Sequence, residues 1–383
     1  MAGLYHGVSF LDTSYPLPYS ESVRPLIRRS VRKIIPYEPP PPLDHLRAEI
    51  GREVLRLSAN ESPLGPSPLA VAAIRDEATR AHLYPDGGAQ PLRAALAKSL
   101  GLSPGHFLVG NGADELIGLV ARACVGPRDE VLVPHPAFEP YETAAQVMGA
   151  KIVRSPLRDY RIDLPDLLAK VTPRTKVIFL ANPHNPTGAM IRRAELDAFV
   201  ETLPPDPLLL LDEAYWEFAD DPEFPVGTEL LPGRPRLLIL RTFSKIAGLA
   251  GLRIGYAIGP PKLIRDLNRV REPFNVNRLA QVAALAALQD VDHRERTRMV
   301  VREEREFLID EYRRRGFHPV PTQANFILVA VGPEAAAIRD RMLKEGVLVR
   351  EGNAVGFPGH LRVTVGTREQ NTEMLQALDR ARG

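Results

Sequence analysis

The chain has a single cysteine, Cys124, among 383 residues. That excludes an intrachain disulfide and a cysteine-built metal cluster, so no metal site is expected, and it fits a reducing compartment. Net charge is scarce as well. The 49 basic and 47 acidic side chains leave +2, with both signs interspersed, which gives no basic stripe for nucleic acid and no acidic tail. No apolar run approaches the roughly 20 residues that span a bilayer, and the stretch from Met1 to Pro18 lacks the basic and apolar regions of an export signal. The expectation is a cytoplasmic protein with small-molecule partners. Lysine is the most telling shortage: eight of the basic residues are Lys and 41 are Arg. An amine can form a Schiff base, whereas a guanidinium stays protonated and cannot. Lys245 stands in Arg241-Thr242-Phe243-Ser244-Lys245, with Arg253 eight residues further on.

Proline is abundant, and Pro36 and Pro39 to Pro42 break up the first 57 residues, favouring extended backbone there. Residues 1–57 read as an arm, together with part of a small domain. After Ser58-Ala59-Asn60-Glu61-Ser62-Pro63, short apolar runs recur near Phe107 to Val109, Val131 to Val133, Lys151 to Val153, Lys176 to Leu180, Leu208 to Leu211, Leu237 to Leu240 and Arg253 to Ile258. Helical patterns such as Glu115 to Cys124 and Ala194 to Leu203 lie between them. Apolar strands without alternation, separated by helices, predict an α/β fold with a mainly parallel sheet covered on both faces. From about Pro260 the chain turns to long Arg-rich helical segments, then to strand candidates at Asn325 to Val329 and Leu361 to Val365. The division expected is a large domain over 58–272 and a smaller α+β domain over 273–383.

In such sheets the site lies at the carboxyl ends of the strands, so the polar residues after each run are the candidates. Asp212 ends Leu208 to Leu211. A carboxylate there costs several kcal/mol in desolvation unless paired, which suits a helix cap, a structural ion pair or a partner for a protonated pyridine nitrogen. Asn185, in Asn182-Pro183-His184-Asn185-Pro186-Thr187-Gly188, is placed to donate to a ligand oxygen, while His184 reads as solvent-facing or capping. Gly110-Asn111-Gly112-Ala113-Asp114 leads from strand to helix, where backbone N–H groups can hold an anion. Phe138 follows another strand and can stack on a flat ligand. Tyr84 has an ambiguous hydroxyl.

Taken in order, Asn60-Glu61, Tyr84-Pro85, Gly112-Ala113-Asp114-Glu115, Asn185-Pro186-Thr187-Gly188, Asp212-Glu213-Ala214-Tyr215, Thr242-Phe243-Ser244-Lys245, Gly251-Leu252-Arg253 and Leu361 to Thr367 closely resemble the fold-type I pyridoxal-phosphate aminotransferases. Among them the pattern is most similar to the histidinol-phosphate aminotransferases. The resemblance runs from about Val31 to the C-terminus. It implies that Lys245 carries pyridoxal 5'-phosphate as a Schiff base and shuttles protons, that Asp212 keeps the ring nitrogen protonated, and that Tyr215 and Asn185 bond the ring hydroxyl oxygen. It further implies that Phe138 covers one ring face. The phosphate then rests on Ala113 and Asp114, with Thr242, Ser244 and Arg253 around it and Tyr84 reaching in from a second subunit of a homodimer. Arg362 would grip the substrate carboxylate, and Tyr37 and Arg350 a substrate phosphate.

The reaction implied is ping-pong transamination of histidinol phosphate with 2-oxoglutarate, in histidine biosynthesis. An aromatic amino-acid aminotransferase shares every cofactor residue and is the nearest alternative. A pyridoxal-phosphate decarboxylase and a non-catalytic, cofactor-binding regulator stand further off. The sequence departs from the family at Pro39 to Pro42, where a Pro-Gly turn is usual, and at His184, where Asn is usual.

Overall fold

The computed structural model describes residues 26–36 and 41–382. The first strand, β1 (Leu55–Leu57), stands apart from the next seven, which build one sheet. These are β2 (Phe107–Gly110), β3 (Glu130–His135), β4 (Lys151–Pro156), β5 (Thr175–Ala181), β6 (Leu208–Asp212), β7 (Leu237–Thr242) and β8 (Gly255–Ile258), in the order β2-β8-β7-β6-β5-β3-β4. Each apolar run of the sequence becomes one of them.

The reason is visible in the packing. Along β6, Leu209 and Leu211 enter one core layer, and Leu208 and Leu210 enter the other. β5 alternates in the same way, with Ile178 and Leu180 against Val177 and Phe179. Side chains of a strand point alternately to opposite faces, so burial of both faces requires apolar residues throughout. Leucine prefers helices in isolation, but each leucine buried here contributes about 1.5–3 kcal/mol, and that outweighs propensity.

Pairing is parallel except around β8, which runs antiparallel to both β7 and β2. The strand is also shorter than its apolar run. Arg253 sits at φ 53°, in the left-handed region, so the chain is still turning there and β8 begins at Gly255.

The second sheet takes its strands from both ends of the described chain: β9 (His318–Pro319), β10 (Phe326–Ala330), β11 (Val347–Glu351) and β12 (His360–Thr364), ordered β1-β11-β12-β10-β9 with β1 parallel to β11. The long helix Val291–Arg314 precedes it. A helix the proline-rich composition did not suggest, Leu43–Ile50, starts directly after Pro42 and stops at Gly51, whose φ is 74°. Proline is compatible with a helix entry because the first N–H groups have no intrahelical partner anyway.

Candidate functional site

The carboxyl ends of β5, β6 and β7 converge on a cleft of about 620 Å³ lined by Ala113, Asp114, Phe138, Asn185, Asp212, Tyr215, Thr242, Ser244, Lys245 and Arg253, together with Tyr141, Ala181, Pro183 and Ala214. Ten residues singled out from the sequence are thus brought together. Lys245 follows β7 and is half-buried. Its Nζ donates to the Ala59 carbonyl at 3.1 Å and lies 5.5 Å from the Tyr215 ring centroid.

Asp212 is the last residue of β6. Its Oδ2 accepts from the Tyr141 hydroxyl at 2.7 Å and its Oδ1 from the Ala214 N–H at 3.0 Å. Burial pushes this carboxyl from 3.8 up to about 6, only partly offset by those two bonds, and the nearby charges of Asp114 and Glu213 are of its own sign. Among the described residues no Lys or Arg pairs with it. A buried carboxylate without a cation of the chain beside it has room for one supplied from outside, and a protonated ring nitrogen fits that place.

The sign of its effect on stability follows. The fold binds a proton at this carboxyl between about pH 4 and 6, where the unfolded chain has already released it. The stability it contributes is therefore full below about 4 and lost as pH rises through about 6. Asp212→Asn is expected to flatten this part of the pH dependence in thermal unfolding of the cofactor-free protein between about pH 4 and 7. An unchanged slope would remove the assignment.

The anion end of the cleft is built by close approach. Gly112, at φ 81°, opens the helix Gly112–Cys124, and a Cβ on it would lie 2.6 Å from Arg253 Nη2. The glycine therefore admits the guanidinium beside the first-turn N–H groups, which lack intrahelical acceptors. Arg253 Nη2 also pairs with Asp114 Oδ2 at 3.1 Å, and Thr242 Oγ1 accepts from the Ser244 N–H at 3.0 Å. Donors of this kind, with a guanidinium, fit a phosphate. Phe138 also lines the cleft and stands edge-on to Tyr141, their centroids 5.6 Å apart.

Arg362, on β12, reaches across from the small sheet: Nη1 donates to Asn185 Oδ1 at 2.8 Å and Nη2 to the Ser58 carbonyl at 3.1 Å. Burial, with a smaller contribution from the like charge of Arg350, brings its guanidinium down to about 10, against the opposing pull of Tyr215. Arg350 lies opposite Arg362 in the β11–β12 ladder and is half-buried. Its neighbour Glu351 is engaged with the Asn353 N–H at 2.9 Å, and among the described residues Arg350 has no ion pair.

Three expected site residues are not among those that line this cleft: Arg362 and Arg350, on the small sheet, and Tyr84. Tyr84 is 79% exposed and stacks on Phe274 at 4.7 Å between centroids. Tyr37 lies outside the described residues. The reading of His184 as solvent-facing is corrected: it is 1% exposed, with Nδ1 3.0 Å from Thr187 Oγ1, and burial pushes its ring down to about 3. The turn that carries it is itself packed over by the loop between β9 and β10. Gln323 N–H donates to the Gly188 carbonyl at 2.9 Å, and Thr322 packs on Gly188 so closely that a Cβ there would clash.

Sequence reasoning missed three supports. Tyr141 holds Asp212 from below and stacks on Phe179 at 4.7 Å. Asn60 contacts Tyr215. Glu213, next to Asp212, forms a fully buried pair with Arg241: Oε2 accepts from Nε at 2.8 Å, Oε1 accepts from the Gly227 N–H at 2.8 Å, and the guanidinium carbon lies 3.8 Å over Trp216. A charged Arg241 inside the apolar run of β7 was the one available signal for the pair.

Residues 52–378 match the family model for aminotransferase class I and II. The chain is 45% identical over 356 residues to a histidinol-phosphate aminotransferase of Moorella thermoacetica, covering 92% of each. It is 44% identical to that of Symbiobacterium thermophilum, covering 93% of this chain and 99% of the relative. In structure it is similar to the histidinol-phosphate aminotransferase of Sinorhizobium meliloti in complex with pyridoxal-5'-phosphate, with a TM-score of 0.86 at 31% identity, covering 94% and 99% of the two chains.

Proposed function

Because the chain belongs to the class I and II aminotransferases, we propose that it moves an amino group from histidinol phosphate to 2-oxoglutarate with pyridoxal 5'-phosphate as cofactor, a step of histidine biosynthesis. The observation that carries this reading is the convergence of Lys245, Asp212, Tyr215 and Arg253 on one cleft, with Arg362 reaching Asn185 beside it. When bound, pyridoxal phosphate supplies an aldehyde carbon that takes the amino group and a protonated ring that draws electrons from the substrate α-carbon.

The residues of the chain do the rest. Lys245 would hold the cofactor's aldehyde carbon, and its Nζ is the group placed to carry a proton to and from the substrate α-carbon. Asp212, kept in place by Tyr141, would pair with the ring nitrogen. Tyr215 and Asn185 would bond the ring oxygen. Ala113, Asp114, Thr242, Ser244 and Arg253 hold the phosphate, and Phe138 covers the ring. Arg362 exchanges its contact with the Ser58 carbonyl for the substrate carboxylate, a bidentate partner better matched to a guanidinium.

We assign Arg350, with Tyr37, to the substrate phosphate. Support comes from a half-buried guanidinium beside Arg362 with no ion pair among the described residues. Arg350→Ala is expected to raise KM for histidinol phosphate about tenfold or more, in line with a charge-assisted contact worth about 1.5–3 kcal/mol, and to leave KM for phenylalanine nearly unchanged. Equal effects on both substrates favour an aromatic amino-acid aminotransferase instead.

Spectroscopy tests the whole proposal. The protein loaded with pyridoxal phosphate is mixed with L-histidinol phosphate alone, and the visible band is expected to convert to that of the aminated cofactor. A band that persists ends the substrate assignment.

The working unit we propose is a homodimer in the cytoplasm, with Tyr84 entering the partner's cleft. Leu83, Tyr84 and Phe274 are exposed apolar side chains, as a contact surface requires. Among the described residues no helix is long and apolar enough to cross a membrane. The division into an arm within 1–57, a large domain over 58–272 and a small domain over 273–383 is supported by the seven-stranded sheet lying wholly between Phe107 and Ile258.

A further inference from the structure

Three consecutive residues after β1 touch three site side chains. The Ser58 carbonyl accepts from Arg362, the Ala59 carbonyl from Lys245, and Asn60 Nδ2 donates to the Tyr215 hydroxyl at 3.1 Å. The first two contacts use backbone and would survive most substitutions. The third depends on the side chain. Asn60 is 1% exposed and sits at φ 56°, a conformation asparagine tolerates better than most residues.

The polarity of this contact is fixed by its neighbours. Thr364 Oγ1 accepts from the Asn60 N–H at 2.9 Å, which leaves the threonine proton for Asn60 Oδ1 at 3.3 Å. With its carbonyl end so engaged, the amide turns its NH₂ end to Tyr215. The phenol oxygen accepts, and its own proton remains free for a ligand in the cleft. The Asn60 carbonyl accepts from Asn325 Nδ2 at 3.1 Å. Thr364 closes β12 and Asn325 precedes β10, so both anchors belong to the small sheet, whereas Tyr215 follows β6 of the large one.

We propose that Asn60 is a positioning residue: its amide directs the Tyr215 hydroxyl proton into the cleft and makes that direction depend on the placement of the five-stranded sheet. The inference rests on the proposed function, because the ligand that receives the proton is the cofactor's ring oxygen. A purely structural asparagine would fill the same space but would have no reason to act through the phenol.

A double-mutant cycle separates the two. Cofactor-free wild type, Asn60→Ala, Tyr215→Phe and the double variant are titrated with pyridoxal phosphate, and retention is read from the visible band. Asn60→Ala is expected to weaken retention about tenfold when Tyr215 is present and less than about twofold in the Tyr215→Phe background. Thr364→Val, which removes the orienting hydroxyl and with it the acceptor of the Asn60 N–H, is expected to weaken it about threefold and again only with Tyr215 present; it carries the same cycle if Asn60→Ala does not fold. Losses that multiply independently, or a Thr364→Val variant in which the tyrosine makes no difference, overturn the proposal. A wild type that takes up no pyridoxal phosphate overturns the proposed function, and this inference with it. A wild type that takes it up with independent losses overturns the inference alone.

Discussion

Lys245→Ala abolishes amino-group transfer while leaving the unfolding transition of the cofactor-free chain within about 0.5 kcal/mol of wild type. The loss in kcat is expected to be on the order of a million-fold, the scale seen when an enzyme that works through a covalent intermediate loses its nucleophile. Stability is spared because Lys245 is half-buried and, among the described residues, its side chain makes one hydrogen bond, to the Ala59 carbonyl. Lys245→Arg keeps the positive charge and most of the volume, yet it should be equally inactive, because a guanidinium does not condense with an aldehyde. Turnover by single-cycle mixing and unfolding in urea, measured on the same preparations, check both halves. Residual turnover near wild type in either variant would remove Lys245 from the chemistry.

Arg241→Leu has the opposite profile, a large loss of stability from a residue outside the cleft. It leaves Glu213 buried with its charge and with the Gly227 N–H as its remaining partner. Removing one member of such a pair costs about 3–5 kcal/mol. The matching double variant, Arg241→Leu with Glu213→Leu, is expected to recover much of that loss, since two apolar side chains of similar reach replace the pair without an orphaned charge. The midpoint of urea unfolding reads both. A single variant as stable as wild type would show that water or a neighbouring group neutralises Glu213. Some activity should also be lost. Glu213 is flanked by Asp212 and Arg241 by Thr242, so the pair fixes the ends of β6 and β7 that present the ring partner and the lysine loop.

The inner strands of the large sheet could be read from the sequence because burial on both faces leaves an unbroken apolar run, whereas β4, at the edge, shows only Ile152 and Val153 between charged residues. Their ends were less legible. β8 starts two residues after Arg253, and only the backbone turn at that position explains why. Asp114, Phe138, Asn185 and Asp212 were legible because each ends or follows a strand, and carboxyl ends of parallel strands gather on one side; Tyr215, Thr242, Ser244 and Arg253 came with the resemblance to the aminotransferases. The residues that hold those side chains were not legible. Tyr141 is 71 positions from the carboxylate it bonds and Asn60 is 155 from the phenol it bonds, and nothing local to either distinguishes it from packing. His184 was misjudged because the loop that packs on its turn, at Thr322 and Gln323, lies far along the chain. Pairing of Glu213 with Arg241 needed knowledge that β6 and β7 are neighbours.

The reversed strand β8 has an evolutionary consequence. Its amino end abuts the carboxyl end of β7, Gly255 standing opposite Thr242, so the link Phe243–Ile254 begins and finishes on the same rim of the sheet. One connection can therefore supply the reactive amine near its start and the anion-gripping guanidinium near its finish. A helical crossover of the kind used elsewhere in the sheet would carry the chain to the far rim and supply one of them only. Lineages can lengthen or trim those crossovers at the far side without touching the chemistry. The link between Lys245 and Arg253 has no such slack, and its length should drift least of all the connections in this sheet.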